Sequence, residues 1–298
     1  MGDITTAMKN TYQSNFELLE QQMGSEMQDA VRRENIAGEY AYFDFIDSLD
    51  ATEVVSRNAN TVNEDVTYER RRISLRRFTL APLIDKFDKI ALIADPTSDI
   101  LTDSLYAHGR QKDYLLCQAA FGTVATGHDG GTTTTYDAGN TVGVQYGTTP
   151  AGDTGLTVAK LRRARAILKM NNVSANEPWY FVCTEQQKQD LLGDSTVTSS
   201  DFNSVKALVG GEIDSFMGFK FIQIDGDVGV NPIVAVNTAE RDCIAYAESG
   251  LMLGVGLEKF TDIQQRVDKN YSYQIFSEMW IGAIRTSEKK VCKVTCQE

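Results

Sequence analysis

Residues 38–93 contain a segment that cannot fold by itself, and this limits what the whole chain can become. Val54, Val55, Val62, Val66, Tyr68, Ile73, Leu75, Phe78 and Leu80 alternate locally with polar residues, which is the period of a β-strand. Ser56-Arg57-Asn58-Ala59-Asn60 and Asn63-Glu64-Asp65 supply turn residues between them. The pattern predicts an extended antiparallel hairpin with two long arms. Too few apolar side chains lie on its two faces for a free-standing hairpin to be stable in water, so it needs a partner surface.

The returning arm is dense in arginine: Arg70, Arg71, Arg72, Arg76 and Arg77. Nucleic acid is one conceivable partner. However, 29 Lys and Arg against 41 Asp and Glu leave a net charge of −12, unsuited to a protein whose main task is gripping phosphates. Only Tyr68 and Phe78 flank the cluster, where single-strand binding would interleave aromatics. Guanidinium forks also pair bidentately with carboxylates, and every other copy of this chain offers a surplus of those. The five arginines are therefore read as inter-subunit contacts of a self-associating protein, in preference to nucleic-acid contacts or a merely solvated face.

Local signals divide the rest of the chain. Met8, Tyr12, Phe16, Leu19, Met23, Met27 and Val31 recur at helical spacing, interrupted at Gly24, and predict an amphipathic helix. It is either core or an arm across a neighbouring subunit, with Phe16 and Met23 as contact candidates. Asp95-Pro96 is a helix start, Leu101, Leu105, Leu115, Leu116 and Ala119 supply a face, and Gly122 is a stop. The resulting helix, 96–121, would be about 39 Å long. Gly109 within it predicts a close contact or a bend.

Residues 122–155 hold nine Gly and ten Thr with no Lys or Arg; 132–136 and 141–146 either pair as a short hairpin or belong to a long surface loop. An α/β alternation follows. Thr157 caps a helix with Val158, Leu161, Ala164 and Leu168 on one face and Lys160, Arg162, Arg163 and Arg165 elsewhere. A buried strand at 179–182 leads to a capping box at Thr184 and Gln187 and a helix ending at Gly193. A short helix at 202–209, strands at 219–224 and 233–236, and a β-rich end at 243–247, 251–253 and 271–284 complete the reading.

Catalytic signatures are missing. Gly250, Gly254 and Gly256 stand in the wrong order for a dinucleotide loop, and there is no phosphate-binding loop or nucleophile elbow. Five scattered cysteines, Cys117, Cys183, Cys243, Cys292 and Cys296, read as reduced thiols, and the Cys292/Cys296 pair lacks the partners of a zinc site. His108 reads as structural and His128 as a solvated loop residue. No catalytic residue, metal site or cofactor is assigned. The start of the chain does not read as a signal peptide, and no run approaches the roughly 18 apolar residues of a membrane helix.

In its order of parts the chain resembles the major capsid proteins of tailed bacteriophages, whose Hong Kong phage-type fold is shared with encapsulins and the floor of herpesvirus capsids. The resemblance rests on 161–168 with Asn171-Asn172-Val173, on 179–184 with 187–192, and on Gly211-Glu212-Ile213-Asp214 with Met217-Gly218-Phe219-Lys220-Phe221. It rests also on Phe260-Thr261-Asp262-Ile263, Gln265-Arg266-Val267-Asp268 and Ile281-Gly282-Ala283-Ile284-Arg285. It implies an α+β fold: an N-terminal arm (1–44), an extended hairpin or E-loop (45–94), a peripheral domain with a spine helix (95–155 plus 246–298) and an axial α/β domain (156–245).

The resemblance implies a non-enzymatic shell protein, assembled in the host cytoplasm into hexamers and pentamers of an icosahedral head. The head would enclose double-stranded DNA without binding it specifically, and no membrane is involved. The implied partners are a portal protein at one vertex and a cement protein. Because the hairpin begins near residue 45, the long scaffolding extension of some members is not expected, which implies a separate scaffolding protein or prior removal. No lysine lies between residues 50 and 80, so the isopeptide weld that some such shells form from a hairpin lysine is not expected. An encapsulin-like cargo shell and a cytosolic hydrolase using two carboxylates are the alternative readings.

Overall fold

The computed structural model describes residues 22–47, 49–53, 55–58, 60–61, 63–85, 97–147, 152–193, 215–224, 235–237 and 240–297. In chain order, β1 (Arg32–Asn35), β2 (Tyr40–Ile46), β3 (Tyr68–Ser74), β4 (Arg76–Leu80) and β5 (Leu83–Ile84) precede the long helix α1 (Thr97–Phe121). Three short strands follow, β6 (Val124–Thr126), β7 (Thr132–Thr134) and β8 (Thr141–Val142), then α2 (Val158–Met170), β9 (Trp179–Cys183) and α3 (Glu185–Gly193). The remainder is β10 (Ser215–Phe216), β11 (Phe219–Gln223), β12 (Ala235–Asn237), β13 (Glu240–Ala247), β14 (Leu251–Arg266), β15 (Ser272–Arg285) and β16 (Val291–Gln297).

These strands form three sheets. The largest runs β10-β11-β9-β13-β16-β8, with β12 on β13. Its central strands are apolar at successive positions because both faces are covered. Phe181, Cys183, Cys243 and Ala245 point toward α2 and α3, where they meet Leu161, Ala164, Leu168 and Leu191. The alternate residues Val182, Ile244 and Tyr246 point the other way, against Leu116 of α1 and Leu251 and Met279 of the second sheet. That second sheet runs β1-β14-β15-β4, with β5 farther along β15. The third, β2-β3-β6-β7, is the base of the hairpin; Ile73 and Val124 meet Ile36, Met252 and Ile284 there.

Helix α1 ends at Phe121, before Gly122, as its sequence predicts; its expected cap lies outside the described residues. Gly109 is the close contact anticipated: a Cβ there would sit 2.3 Å from the backbone carbon of Gly24, which has φ +95°. The chain crosses α1 at this pair and is then strapped down by one carboxylate. Asp113 accepts from Ser25 Oγ (2.5 Å), Gln22 Nε2 (2.5 Å), Glu26 N (3.0 Å) and Met27 N (3.2 Å). Burial pushes its pKa up, against the downward pull of those four bonds.

Several expectations are corrected. The N-terminal stripe does not continue as a helix over 22–31; a single 3-10 turn, Gln28–Ala30, leads into β1, because the left-handed Gly24 and the bonds to Asp113 bend the chain. Phe16 lies outside the described residues, as does the helix expected at 202–209. The paired arms of the hairpin, β2 and β3, are shorter than predicted: no strand forms among the described residues of 47–67, including Val55 and Val66. In the Gly/Thr stretch β7 pairs with β6, whereas β8 pairs with β16, so 132–136 and 141–146 do not pair with each other. Nor is this stretch a plain surface loop. Val124 and Val142 are buried, and the Tyr136 hydroxyl donates to Asn140 O (2.6 Å) while accepting from Lys293 N (2.9 Å).

Asp113→Asn keeps the shape but offers one acceptor oxygen to donors that now meet two, and sets an NH2 against N–H groups. The variant is expected to lose about 2–4 kcal/mol of stability in chemical denaturation, with faster proteolysis between residues 22 and 28.

Candidate functional site

The arginine-rich arm is where sequence and structure differ most usefully. Arg71 is fully buried. Its Nη1 donates to Arg285 O (2.9 Å) and Glu288 Oε1 (2.9 Å), and its Nη2 to Glu288 Oε2 (2.6 Å) and Glu69 Oε1 (3.0 Å). It is therefore spent inside its own chain and cannot be the inter-subunit contact predicted for it. The reason is strand parity: β3 points Arg71 and Ile73 inward and Arg70 and Arg72 outward.

Glu288 also binds the buried Arg285, at 3.2 Å and 3.3 Å. Arg285 Nη1 donates to the carbonyls of Ala120 (2.7 Å) and Gly122 (3.0 Å). It thus caps the C-terminal end of α1, where carbonyls lack intrahelical donors and the helix dipole favours a cation. Its guanidinium carbon stands 5.4 Å from the centre of the Tyr136 ring. Two buried cations share one carboxylate; backbone carbonyls and Glu69 take further donors, and Arg71 Nε is left without a partner. Sequence reading missed both Arg285 and Glu288 as functional; the available signal was an arginine ending an apolar strand with a glutamate three residues later.

The other arginines face outward. Arg70 forms a fork with Asp44, at 2.6 Å and 3.0 Å, and lies over Tyr42. Arg72 lies over Tyr40 and donates to Asp129 O (3.3 Å). Arg77 pairs with Glu278 (2.8 Å), and Arg76 is exposed without an ion-pair partner among the described residues. Met23 is 73% exposed. At the last pair of the hairpin Ile46 is 66% exposed, and beyond it Leu49 and Val55 are 57% and 88% exposed. This apolar surface lies at the end of an arm whose own sheet does not cover it.

Features bearing on chemistry have structural roles. His108 is buried with Nε2 3.0 Å from Ser277 Oγ, and burial pushes its pKa down. His128 is exposed, 2.7 Å from Asp129. The five thiols are free and buried, and burial pushes Cys292 up to about 12. Among the described residues no cluster of His, Cys, Asp or Glu could hold a metal ion, and no helix is long and apolar enough to cross a membrane.

Burial pushes the Glu288 carboxyl up, but the hydrogen bonds and charges of Arg71 and Arg285 outweigh it and leave its pKa below the ordinary 4.5. A depressed carboxylate stabilises above its unfolded pKa, and that contribution is lost as pH falls through the folded value. Glu288→Gln is expected to cost about 3 kcal/mol at pH 7, since it leaves the buried Arg285 without a counter-charge and Arg71 with only the half-exposed Glu69. The gap between variant and parent should narrow below pH 4.5 in denaturant titrations.

A family model described as phage capsid protein matches residues 4–298. Similar solved structures include the capsid of Helicobacter pylori bacteriophage KHP30, with TM-score 0.72, 11% identity and coverage of 99% of this chain and 97% of that one. The capsid of Ralstonia phage GP4 gives TM-score 0.69 at 13% identity, covering 97% and 95%. The capsid of cyanophage Pam1 gives 0.67 at 13%, covering 100% and 99%. Comparison with curated proteins finds no match.

Proposed function

The chain belongs to the phage capsid protein family, and from that premise we propose how its copies hold one another in the shell. It is a major capsid protein, a subunit of the icosahedral head in the virion. Its copies meet through heterologous contacts, closing into hexamers and pentamers by small rotations. The hairpin region, 45–94, reaches over a neighbour in the same ring. Residues 1–44, with Phe16 and Met23, lie along another copy. Residues 156–245 surround the ring axis, and 95–155 with 246–298 form the periphery around α1.

The observation that carries this reading is the exposed apolar surface of Ile46, Leu49 and Val55 at the end of the hairpin arm. Arg70, Arg72, Arg76 and Arg77, at its base, offer their outward faces to the adjoining subunit; Arg71 does not. The protein acts by geometry and has no enzymatic activity or cofactor. A separate scaffolding protein directs assembly, a portal protein occupies one vertex, and a cement protein reinforces the shell. Double-stranded DNA is enclosed without specific binding, since an acidic wall lets it pass in and out.

Replacing 49–65 by a short Gly-Ser turn is expected to leave a folded subunit, judged by its circular dichroism and melting, that forms no shells in negative-stain microscopy. Normal shells from that variant would remove the hairpin from the inter-subunit contacts.

The shell is held without covalent links. The hairpin lacks a lysine between 50 and 80, arginine stays protonated and cannot attack an amide, and the five thiols are buried. Particles boiled in denaturing detergent without reductant should run as one band near 33.0 kDa; a ladder of linked rings would refute this.

A further inference from the structure

The chain matches many of its cations with its own carboxylates, from Arg32 with Glu34 to Arg266 with Asp268 and Lys293 with Asp242. Helix α2 departs from that habit. Its sequence, VAKLRRARAILKM, has no carboxylate at all. Arg162, Arg165 and Lys169 lie at i, i+3 and i+7 on its exposed stripe, and Lys220 of β11 stands beside them. None of the four has an ion-pair partner among the described residues.

They are nevertheless held in place. Arg165 Nη1 donates to Met217 O (2.5 Å), in the left-handed turn before β11. Lys169 Nζ stands 5.1 Å from the centre of the buried Trp179 ring, and Lys220 Nζ is 5.8 Å from that of Tyr180. Arg165, Lys169, Trp179 and Lys220 line an open groove of about 440 Å³; the one carboxylate on its wall, Glu177, is engaged by Ser249 Oγ (2.5 Å) and Lys290 Nζ (3.9 Å). Like charges fixed side by side repel, so this arrangement is built for an anion from outside the subunit.

The opposite patch is on the same chain. In 47–67, Asp50, Glu53, Glu64 and Asp65 are exposed, also without ion-pair partners among the described residues, against the single cation Arg57. We propose that the carboxylates of this loop in a second copy dock on the Arg162, Arg165, Lys169 and Lys220 face of α2 and β11. Two complementary patches on different lobes are what a heterologous, ring-forming contact requires. A DNA duplex is the other polyanion that could occupy this groove, and the DNA content of the shells in the test below separates the two. This pairing rests on the reading of the hairpin as an inter-subunit arm and names its acceptor.

The test is charge reversal in the full chain. One variant is R162E/R165E/K169E, another is D50K/E53K/E64K/D65K, and a third combines them. Shell yield is read by light scattering and negative-stain microscopy, and subunit integrity by thermal melting. Each reversal alone should lower the yield about tenfold or more near 0.15 M salt, and the combined variant should recover to within about threefold of the parent. Parental yield from the α2 reversal overturns the proposal, including the case in which shells form but retain less DNA, which would assign the face to phosphates. Failure of the combined variant to recover also overturns it, provided each single set folds. If the 49–65 replacement blocks assembly while recovery fails, only the α2 acceptor falls; if that replacement assembles normally, the hairpin reading falls as well. Should a reversal not fold, a peptide of residues 47–67 titrated onto unassembled parent subunits decides the matter. Salt-sensitive binding supports the pairing, and absence of binding overturns it.

Discussion

Two buried guanidinium groups and the partly buried carboxylate they share hold the parts of this subunit in register. Arg285 closes the C-terminal end of α1, Arg71 arrives from the hairpin base, and Glu288 lies between them on the turn before β16. Arg285 and Glu288 are neighbours at the end of β15, and Arg71 comes from a distant part of the chain. Removing Glu288 leaves two cations inside the protein with only the half-exposed Glu69 beside one of them, and that desolvation penalty exceeds what the intact group contributes as a net gain. The arrangement therefore serves specificity of position more than raw stability. A hairpin too poor in apolar residues to organise itself receives its direction from a buried arginine.

Around this centre the largest sheet separates two apolar layers. Its one face is sealed by α2 and α3, its other by α1 and the β14–β15 pair. Because α1 is fixed at one end by Arg285 and crossed farther along by the Gly24 and Asp113 contacts, it acts as a rigid reference for the flanking sheets. The Gly/Thr stretch joins the same scheme through Tyr136 and Asn140, which bond to Lys293 and Glu288 backbone atoms. Small residues there permit close turns, and threonine hydroxyls at 126, 132 and 134 bond across the short strands.

Much of this was legible in the sequence, and the reasons for success and failure are physical. The end of α1 at Phe121, the Thr157 cap of α2 and the contact at Gly109 follow from local signals that tertiary structure had no cause to override. The order of elements carried the family resemblance. What sequence could not fix was pairing at a distance. Val55 and Val66 look strand-like, yet their alternation finds no partner strand among the described residues. The fate of Arg71 was available in principle, since placing Ile73 in a core forces its neighbour two residues earlier to the same side. For Glu288 the sequence offered only its spacing from Arg285; its two bonds to Arg71 are long-range and left no local trace. The uncompensated charge of α2 was readable as composition, but only the in-chain pairing of the hairpin arginines makes its contrast meaningful.

The alignment of β4 on β15 has a mechanical consequence. Residues 76–80 lie antiparallel to 277–281, joined by ladder bonds perpendicular to the strands, and β4 follows directly from β3 of the hairpin. A pull along the hairpin would thus be delivered along β4, lengthwise to its ladder. Loaded in shear, those bonds share the force and must break together; a strand peeled from one end would lose them in turn. The hairpin's attachment therefore resists a lengthwise pull more strongly than a peeling one.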